Sequence, residues 1–307
     1  MIQLTYQGED ITKYVSINQC VHDMYAEERA DSLYLWVNDL SGVWSQWQPQ
    51  KGELIAATYG AIGTGNMYIY ECTPHNGRYL IKATALPPTY AEKHNKAWQK
   101  VRLLQIGQEI ASRHGLEFAS YDVTDYTYDY VLQSNQDDFS FLSWRATLEG
   151  CAIIVCDGKV ILYDQMRREV PGTEPKYYLE LSPQADYEYH DRSADMYGSC
   201  IIERGAYSGS YQAHNGNTGV LRPTEQIYLS SNAEAERFAK NLLYHANKRC
   251  KNGYIRGQVM TGYAAGSTAV LKNVSATVWD GSVFLTHVRN DYGECVSKLF
   301  FRKPVEQ

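Results

Sequence analysis

Two stretches near opposite ends of the chain share one spacing of glycine and apolar residues, and this repeat constrains the fold more than any other feature. One stretch lies between Gly65 and Gly77 and the other between Gly281 and Gly293, so each pair of glycines is 12 residues apart. Apolar or aromatic residues hold the same places in both: Met67, Tyr68, Ile69, Tyr79 and Leu80 in the first, and Val283, Phe284, Leu285, Cys295 and Val296 in the second. A glycine-led strand pattern precedes each stretch, at residues 52–59 and 266–272.

The glycines predict tight turns between strands, because glycine adopts the positive φ that hairpin turns require. Asn76-Gly77 and Asp280-Gly281 are strong turn dipeptides. Each stretch is therefore predicted to be a three-stranded meander, and the repeat predicts two related β-modules around a different middle. Chance similarity of two hairpins of similar length remains the alternative, because the two copies share few identical residues.

Size and charge narrow the classes of function. The chain has 307 residues, 44% of them hydrophobic and 21% charged, which suits a globular protein of two or more domains. The net charge of −6 argues against specific nucleic-acid binding, and no apolar run approaches the roughly 20 residues of a membrane helix. The N-terminus lacks a signal-peptide pattern, so synthesis in the cytoplasm is expected. The 26 tyrosines fit either contact surfaces or a preference for strands.

The patterns predict an α+β chain that is mainly β. We expect an N-terminal β-barrel module at residues 1–90, a helical segment at 91–150, a β-rich middle with loops at 151–225, and a helix plus a second β-barrel module at 226–307. Helices are predicted at 95–114, at 134–150 and from Ser231, where a capping box begins, to Asn252-Gly253. Residues 151–164 read as a hairpin turning at Asp157-Gly158, and residues 207–219 as a mobile loop.

No group of residues stands out as a catalytic, cofactor or metal site. The glycine-rich run 60–65 precedes a strand and not a helix, so it lacks the helix N-terminus that binds phosphate. His190-Asp191 and Asp195 lie in a polar segment, and Ser208 is not in a strand-to-helix elbow. Asp137 and Asp138 are assigned to capping a helix. The seven cysteines are scattered and form no C-x-x-C pair, so neither a zinc site nor a disulfide framework is indicated. We predict no enzyme activity and no cofactor.

Several segments resemble, in order along the chain, the phage late control D family, the baseplate hub proteins of contractile-tailed phages, R-type bacteriocins and related injection systems. The segments run from residue 10 to about residue 302: 10–15, 30–39, 47–52, 65–72, 79–85, 97–116, 138–150, 231–243 and 279–293. The region 165–225 matches least.

The resemblance implies a homotrimeric ring in which each subunit contributes two tube-protein-like barrels, so that six barrels around a threefold axis mimic a sixfold ring. Such a ring adapts a hexameric tail tube to a trimeric central spike. The implied partners are the spike, the tail tube or a tube-initiator protein, baseplate wedge proteins and, as a further candidate, the tape measure protein. The implied location is the baseplate of an assembled virion or bacteriocin tail. Because the chain stops soon after the second barrel, at Pro304, the spike is expected to be a separate polypeptide.

Two other readings stay open at this stage. A carbohydrate- or surface-binding β-protein would use tryptophans as stacking platforms, although two of them lie on predicted helices, where packing is the better explanation: Trp44, Trp47, Trp98, Trp144 and Trp279. An uncharacterised hydrolase is disfavoured by the missing motifs and predicts a deep pocket that holds a group with a perturbed pKa.

Overall fold

The computed structural model describes residues 1–170, 177–181, 184–274 and 276–305. The first part of the chain forms β1 Ile2–Tyr6, β2 Glu9–Asp10, β3 Ser16–Tyr25, β4 Ser32–Asn38, α1 Val43–Trp47, β5 Leu54–Tyr59, β6 Ile62–Gly63, β7 Met67–His75 and β8 Arg78–Thr84. The middle forms β9 Lys93–Arg102, α2 Leu103–Arg113, β10 Glu117–Tyr121, β11 Thr127–Asp137, α3 Asp138–Leu148, β12 Cys151–Cys156, β13 Lys159–Asp164 and α4 Gln165–Glu169. The last part forms β14 Tyr178–Leu181, β15 Asp186–Asp191, β16 Ser199–Arg204, β17 Tyr207–Gln212, β18 Val220–Leu221, α5 Asn232–Asn247, β19 Lys251–Gln258, β20 Thr268–Asn273, β21 Gly281–Asp291 and β22 Val296–Arg302.

The two ends of the chain build the same sheet twice, which confirms the predicted α+β, mainly β fold with two related modules. The first module has the strand order β3-β4-β8-β7-β5-β1, and the second has β15-β19-β22-β21-β20-β14. If the six strands of each module are numbered 1 to 6 in chain order, both sheets have the strand order 2-3-6-5-4-1. They differ at the last pair, where β1 is antiparallel to β5 but β14 is parallel to β20.

Each module surrounds a core of its own. Strands from both ends of the first module's strand order contribute side chains to one hydrophobic cluster. Its fully buried residues include Leu4, Leu35, Ile55 and Ile81. The second module repeats this with a cluster that includes Leu271, Leu285 and Leu299. A sheet whose opposite ends share one core must curl around it, as a barrel does. The β14 and β15 strands belong to this second sheet, so we propose that the second module draws on residues before 226.

The middle part packs helices α2, α3 and α5 against three small sheets, β10-β13-β12, β9-β11 and β17-β16-β18. The expected hairpin at 151–164 is present, and its turn residues Asp157 and Gly158 both have positive φ (43° and 70°). Gly107 of α2 lies against Phe118, because a Cβ at Gly107 would come within 2.5 Å of that ring. The helix and the strand β10 therefore approach more closely than any larger residue would permit.

Two of the expected helices begin later than predicted, because their first residues belong to strands. Residues 95–102 belong to β9, and residues 134–137 belong to β11; the helices begin only at Leu103 and Asp138. The β9 and β11 strands pair with each other, with Trp98 opposite Val131. Good helix formers occupy β9, but the long-range pairing with β11 overrides their local preference.

The third helix begins as expected and ends early. Ser231 accepts a hydrogen bond from the Glu234 N–H (3.1 Å), and the Glu234 carboxylate accepts one from the N–H of Ser230 and not of Ser231. The helix stops at Asn247, Ala246 is exposed, and Asn252-Gly253 lies inside β19. Gly253 is needed there because a Cβ would lie 2.4 Å from the carbonyl oxygen of Glu188 on the neighbouring strand. The expected loop at 207–219 is also wrong at its start, where β17 pairs with β16.

Candidate functional site

The groups that the sequence singled out for chemistry are engaged in structural contacts. The run 60–65 turns between β5 and β7, and Thr64 closes it by accepting a hydrogen bond from the Ala57 N–H (3.0 Å). Gly65, at φ +64°, lies directly under Asp157, whose carboxylate would meet a Cβ at 2.3 Å. The glycine run therefore lets a turn of the middle part pack closely against the first module.

His190, Asp191 and Ser208 lie on strands and not in an open loop. The His190 Nε2 atom is 3.2 Å from Glu188 on the same strand, and Asp191 accepts a hydrogen bond from the Ser193 N–H (2.9 Å). Ser208 lies on β17 and Asp195 in a short 3-10 helix. In the ranges that the structure describes, no group of three His, Cys, Asp or Glu residues is placed to hold a metal ion.

Asp137 and Asp138 have different roles, and the capping assignment of Asp138 is wrong. Asp137 caps α3 by accepting a hydrogen bond from the Ser140 N–H (2.8 Å). Asp138 is completely buried and accepts two hydrogen bonds from Arg113 Nη1 (2.9 and 2.7 Å) and one from the Gln133 side chain (2.8 Å). It therefore joins α2, α3 and β11 through charge-assisted bonds.

A buried network of ion pairs joins the two modules to the middle part. Glu27, in the turn between β3 and β4, pairs with Lys248 after α5, and both are almost fully buried. Burial acts to raise the pKa of Glu27, but attraction by Lys248 and Arg302 outweighs it and lowers this pKa to about 2. Arg302 of β22, which is fully buried, contacts the Glu169 carboxylate at 2.5 Å. Nothing in the sequence near Glu27 marks it for this role, because its partners lie more than 100 residues away in the chain.

The modules are joined into one sheet by the pairing of β21 with β3, which we call the internal seam. Its backbone ladder runs from His287 opposite Tyr25 to Asp291 opposite Val21. Asp23 lies at its centre and contacts the His287 Nε2 atom at 2.7 Å.

Further polar and aromatic contacts reinforce the internal seam. The second carboxylate oxygen of Asp23 is 3.5 Å from Arg289, and the His287 ring stacks on Tyr25 with centroids 4.4 Å apart. Burial lowers the pKa of His22, which faces Tyr292 across the seam, to about 4. Each of these charged, polar and aromatic side chains therefore has a defined partner in the internal seam.

Two of the strand edges that have no partner among the described residues are those of β7 and β15 in the large sheet. The β7 strand pairs with β5 only at its start, so its outer side is open from Tyr70 to His75. The β15 strand pairs with β19 on one side and is open on the other. Open edges of this kind are natural places for a further strand to bind. A polar groove of about 1060 Å³, bordered by Asp191, Lys251 and Lys303, lies beside the β15 edge.

Most of the tryptophans that the carbohydrate reading relied on are packed. Trp44 is 1% exposed and Trp98 is 7% exposed. Trp47 is 42% exposed, and its ring stacks on Tyr6 with centroids 6.1 Å apart. None of the helices within the described ranges is long and apolar enough to span a membrane.

Comparison with known proteins finds similar folds among solved structures but no match in sequence. No family model matches the chain, and no curated protein is similar enough in sequence to be a relative. A 43 kDa tail protein of prophage MuSo2 from Shewanella oneidensis is 9% identical with a TM-score of 0.75; the match covers 99% of this chain and 98% of that one. A tail protein from Neisseria meningitidis MC58 is 10% identical with a TM-score of 0.76, over 98% and 96% of the two chains.

A third similar structure comes from a secretion machine. It is a component of the type VI secretion system of E. coli, described as structurally similar to bacteriophage T4 tail proteins, with 12% identity and a TM-score of 0.61 over 99% of this chain and 77% of that one. At such low identity, the similarity concerns the fold. From end to end, the chain has the fold of these phage tail proteins.

Proposed function

We propose that the chain is a structural protein of a phage tail or a related injection particle, and that it forms a trimeric hub ring between a hexameric tail tube and a trimeric central spike. The likeness to two tail proteins over almost the whole of both chains supports the broader role. The likeness to a type VI secretion component supports a place near a tube or spike.

The duplicated module is the observation that carries the hub proposal. The two modules of one chain are alike because both have the strand order 2-3-6-5-4-1. A threefold ring of such chains therefore presents six similar modules around its axis. One face of such a ring matches a sixfold partner, while each whole chain matches one subunit of a threefold partner. A ring of this kind resolves the mismatch between the two symmetries without any change of conformation.

A structural role also accounts for the polar groups. Asp138, Glu27 and Arg302 are buried in networks that join elements, and the Gly65 region holds a turn. We propose that the chain is not an enzyme and that it acts within an assembled particle. The proposed partners are a spike protein, a tail tube or tube-initiator protein, wedge proteins and the tape measure protein.

Native mass spectrometry of the purified protein, alone and co-expressed with spike and tube proteins from the same genome, tests the proposal. The expected result is a trimer with about three times the 34.9 kDa mass of one chain, which retains three spike chains when they are present. A monomer under both conditions would contradict the hub, and saturable sugar binding by that monomer would favour the carbohydrate-binding alternative.

A further inference from the structure

We propose that the open edge of β7 pairs, antiparallel, with the open edge of β15 of a second copy of this chain, and that this contact repeats the internal seam between copies. The inference rests on the proposed trimeric ring and specifies which strands meet and in which register.

The β7 strand of the first module is equivalent to β21 of the second. Both strands pair with the last strand of their module, and both ladders contain a bulge at the same place, at Tyr70 in β7 and at Thr286 in β21. Counting from the bulge places Glu71 at the position of His287 and His75 at that of Asp291. The first halves agree as well, because Ile69 and Leu285 each exchange backbone bonds with the segment before the neighbouring strand. The part of β21 that pairs with β3 therefore corresponds to the open part of β7.

The β15 strand of the second module is likewise equivalent to β3 of the first. Tyr34 of β4 and Tyr254 of β19 lie at equivalent positions, because they pair with the equivalent residues Lys82 and Phe300. The partner of Tyr34 on β3 is Val21, and the partner of Tyr254 on β15 is Glu188. This places His190 at the position of Asp23, and Arg192 at that of Tyr25.

The register of the internal seam then gives the register of the contact between copies. In the seam, Arg289 lies opposite Asp23. The same register places Thr73 opposite His190 of the second copy. Two residues away on each side, it places Glu71 opposite Arg192 and His75 opposite Glu188 of the second copy.

The backbone directions agree with this register. Arg192 donates its N–H to the carbonyl of Cys250, the residue just before β19, so the alternation of an antiparallel ladder turns the backbone groups of Tyr187, Tyr189 and Asp191 toward the open edge. The equivalent residues of β3 face β21, as the bond from the Tyr292 N–H to the Cys20 carbonyl shows. Both open edges thus present their bonding groups in the phase that pairing requires.

Charge complementarity favours a second copy as the occupant. The Glu71 carboxylate would lie beside Arg192 directly and beside His190 diagonally, and His75 would lie beside Glu188. In the internal seam, carboxylate Asp23 on β3 contacts imidazole His287 on β21. In the proposed contact between copies, His190 of β15 takes the position of Asp23, and Glu71 of β7 takes the position of His287. A carboxylate therefore again lies beside an imidazole, but each is now on the other strand of the pair. Opposite charges at facing positions stabilise strand pairs.

Pro74 modifies the edge without blocking it. Its counterpart, Asn290, points its backbone groups at β3, so Pro74 removes one N–H donor from the proposed ladder. The bonding groups of Cys72 on one side and the N–H of Asn76 on the other remain. The loss of a donor makes the edge a poorer partner for unrelated strands, a device that protects exposed edges from aggregation. The side chains then decide which strand is accepted.

Disulfide trapping tests the register, because facing residues at a position without hydrogen bonds have Cα atoms about 4.5 Å apart, within disulfide range. The double variant Thr73→Cys with His190→Cys is prepared in a background in which Cys72 and Cys295 are replaced by serine. Mild oxidation of the trimer, identified by native mass, is expected to yield chains linked between copies on a non-reducing gel. The matched control pairs Thr73→Cys with Asp186→Cys, four residues along β15, and is expected to give no linked product, as are the single variants.

The outcomes separate this inference from the hub proposal. A trimer in which the 73–190 pair stays unlinked, or in which the 73–186 pair links instead, would overturn the strand pairing and leave the trimeric ring intact. Failure to form a trimer either alone or with spike and tube proteins would overturn both. Linkage of the 73–190 pair in the trimer, with none in the control, would support both.

Discussion

The two modules share a strand order and the position of a bulge, but they differ at one long strand. In the second module β21 has a neighbour on its outer edge, whereas in the first module the outer edge of β7 is open. In the second module, β21 continues from β20 onto β3 of the same chain. In the first, β7 leaves β5 after its first residues and meets no further strand in the part of the chain that the structure describes. The difference suggests that the two equivalent strands use different partners: β21 pairs with β3 of the same chain, and β7 is left for a strand of another chain.

The largest expected effect concerns a position where the modules differ in chemistry. Arg302 of β22 is buried against Glu169, whereas the equivalent residue of the first module is Thr84. Replacing Arg302 by alanine leaves the buried Glu169 carboxylate without its cation, and we expect a loss of about 3–5 kcal/mol in the free energy of unfolding. Thr84→Ala removes a single hydroxyl and should cost about 1 kcal/mol or less. Urea denaturation followed by circular dichroism measures both, and similar losses would contradict the assigned network.

The second expectation concerns a position where the modules agree. Ile81 and Leu299 are equivalent, fully buried residues of the two cores. Truncating either to alanine should destabilise the chain by about 3 kcal/mol, because each leaves a cavity. Denaturation of the two variants side by side checks this. A loss below about 1 kcal/mol at only one site would mean that one of the modules lacks a tightly packed core.

The third expectation uses pH to probe the internal seam at His22, which corresponds to Tyr189 on the open edge. The pKa of His22 is lowered to about 4 by burial, so the folded chain keeps this ring neutral while the unfolded chain protonates it near pH 6.5. The free energy of unfolding therefore decreases as pH falls from about 6.5 toward 4, because only the unfolded chain takes up a proton at His22. Relative to wild type, His22→Gln should gain about 2 kcal/mol between pH 7.5 and pH 5. Parallel denaturation curves at the two pH values measure the shift, and an unchanged difference would mean that His22 is accessible to protons.

The smallest expected effect separates the two hairpins that the glycine spacing presents as alike. Residues Asn76 and Gly77 form a two-residue turn with positive φ at both, whereas four residues join β21 to β22 and the positive φ belongs to Cys295 and not to Gly293. Gly77→Ala should cost about 1–2 kcal/mol, since φ +72° strains a side chain and the new Cβ meets Leu40 at 2.6 Å. Gly293→Ala should cost less. Thermal melts of the two variants test this order.

The sequence predicted the duplication because turn glycines leave a local trace. Gly52, Gly65, Gly266 and Gly281 all have positive φ at equivalent positions. The same spacing misled at the second hairpin, where it aligned Tyr79 with Cys295 although the ladders align Tyr79 with Ser297.

Features that depend on distant partners were not visible in the sequence. The β9 strand resembled a helix until its pairing with β11 was known, and Arg302 showed only the alternation of a strand. The open edges are likewise a property of the sheet and not of any segment. Their proposed register emerges only from the comparison of two ladders.

The central claim is that one seam is used twice, within a chain and between copies, and a charge exchange across the second use tests it most directly. Native mass spectrometry is used to compare the trimer fractions of Glu71→Arg, Arg192→Glu and the double variant at one protein concentration, with melting temperatures to show that each is folded. The account predicts that either single change lowers the trimer fraction, by placing like charges opposite each other, and that the double variant restores it. A double variant that assembles no better than the single ones, or single variants that assemble as well as wild type, would contradict it.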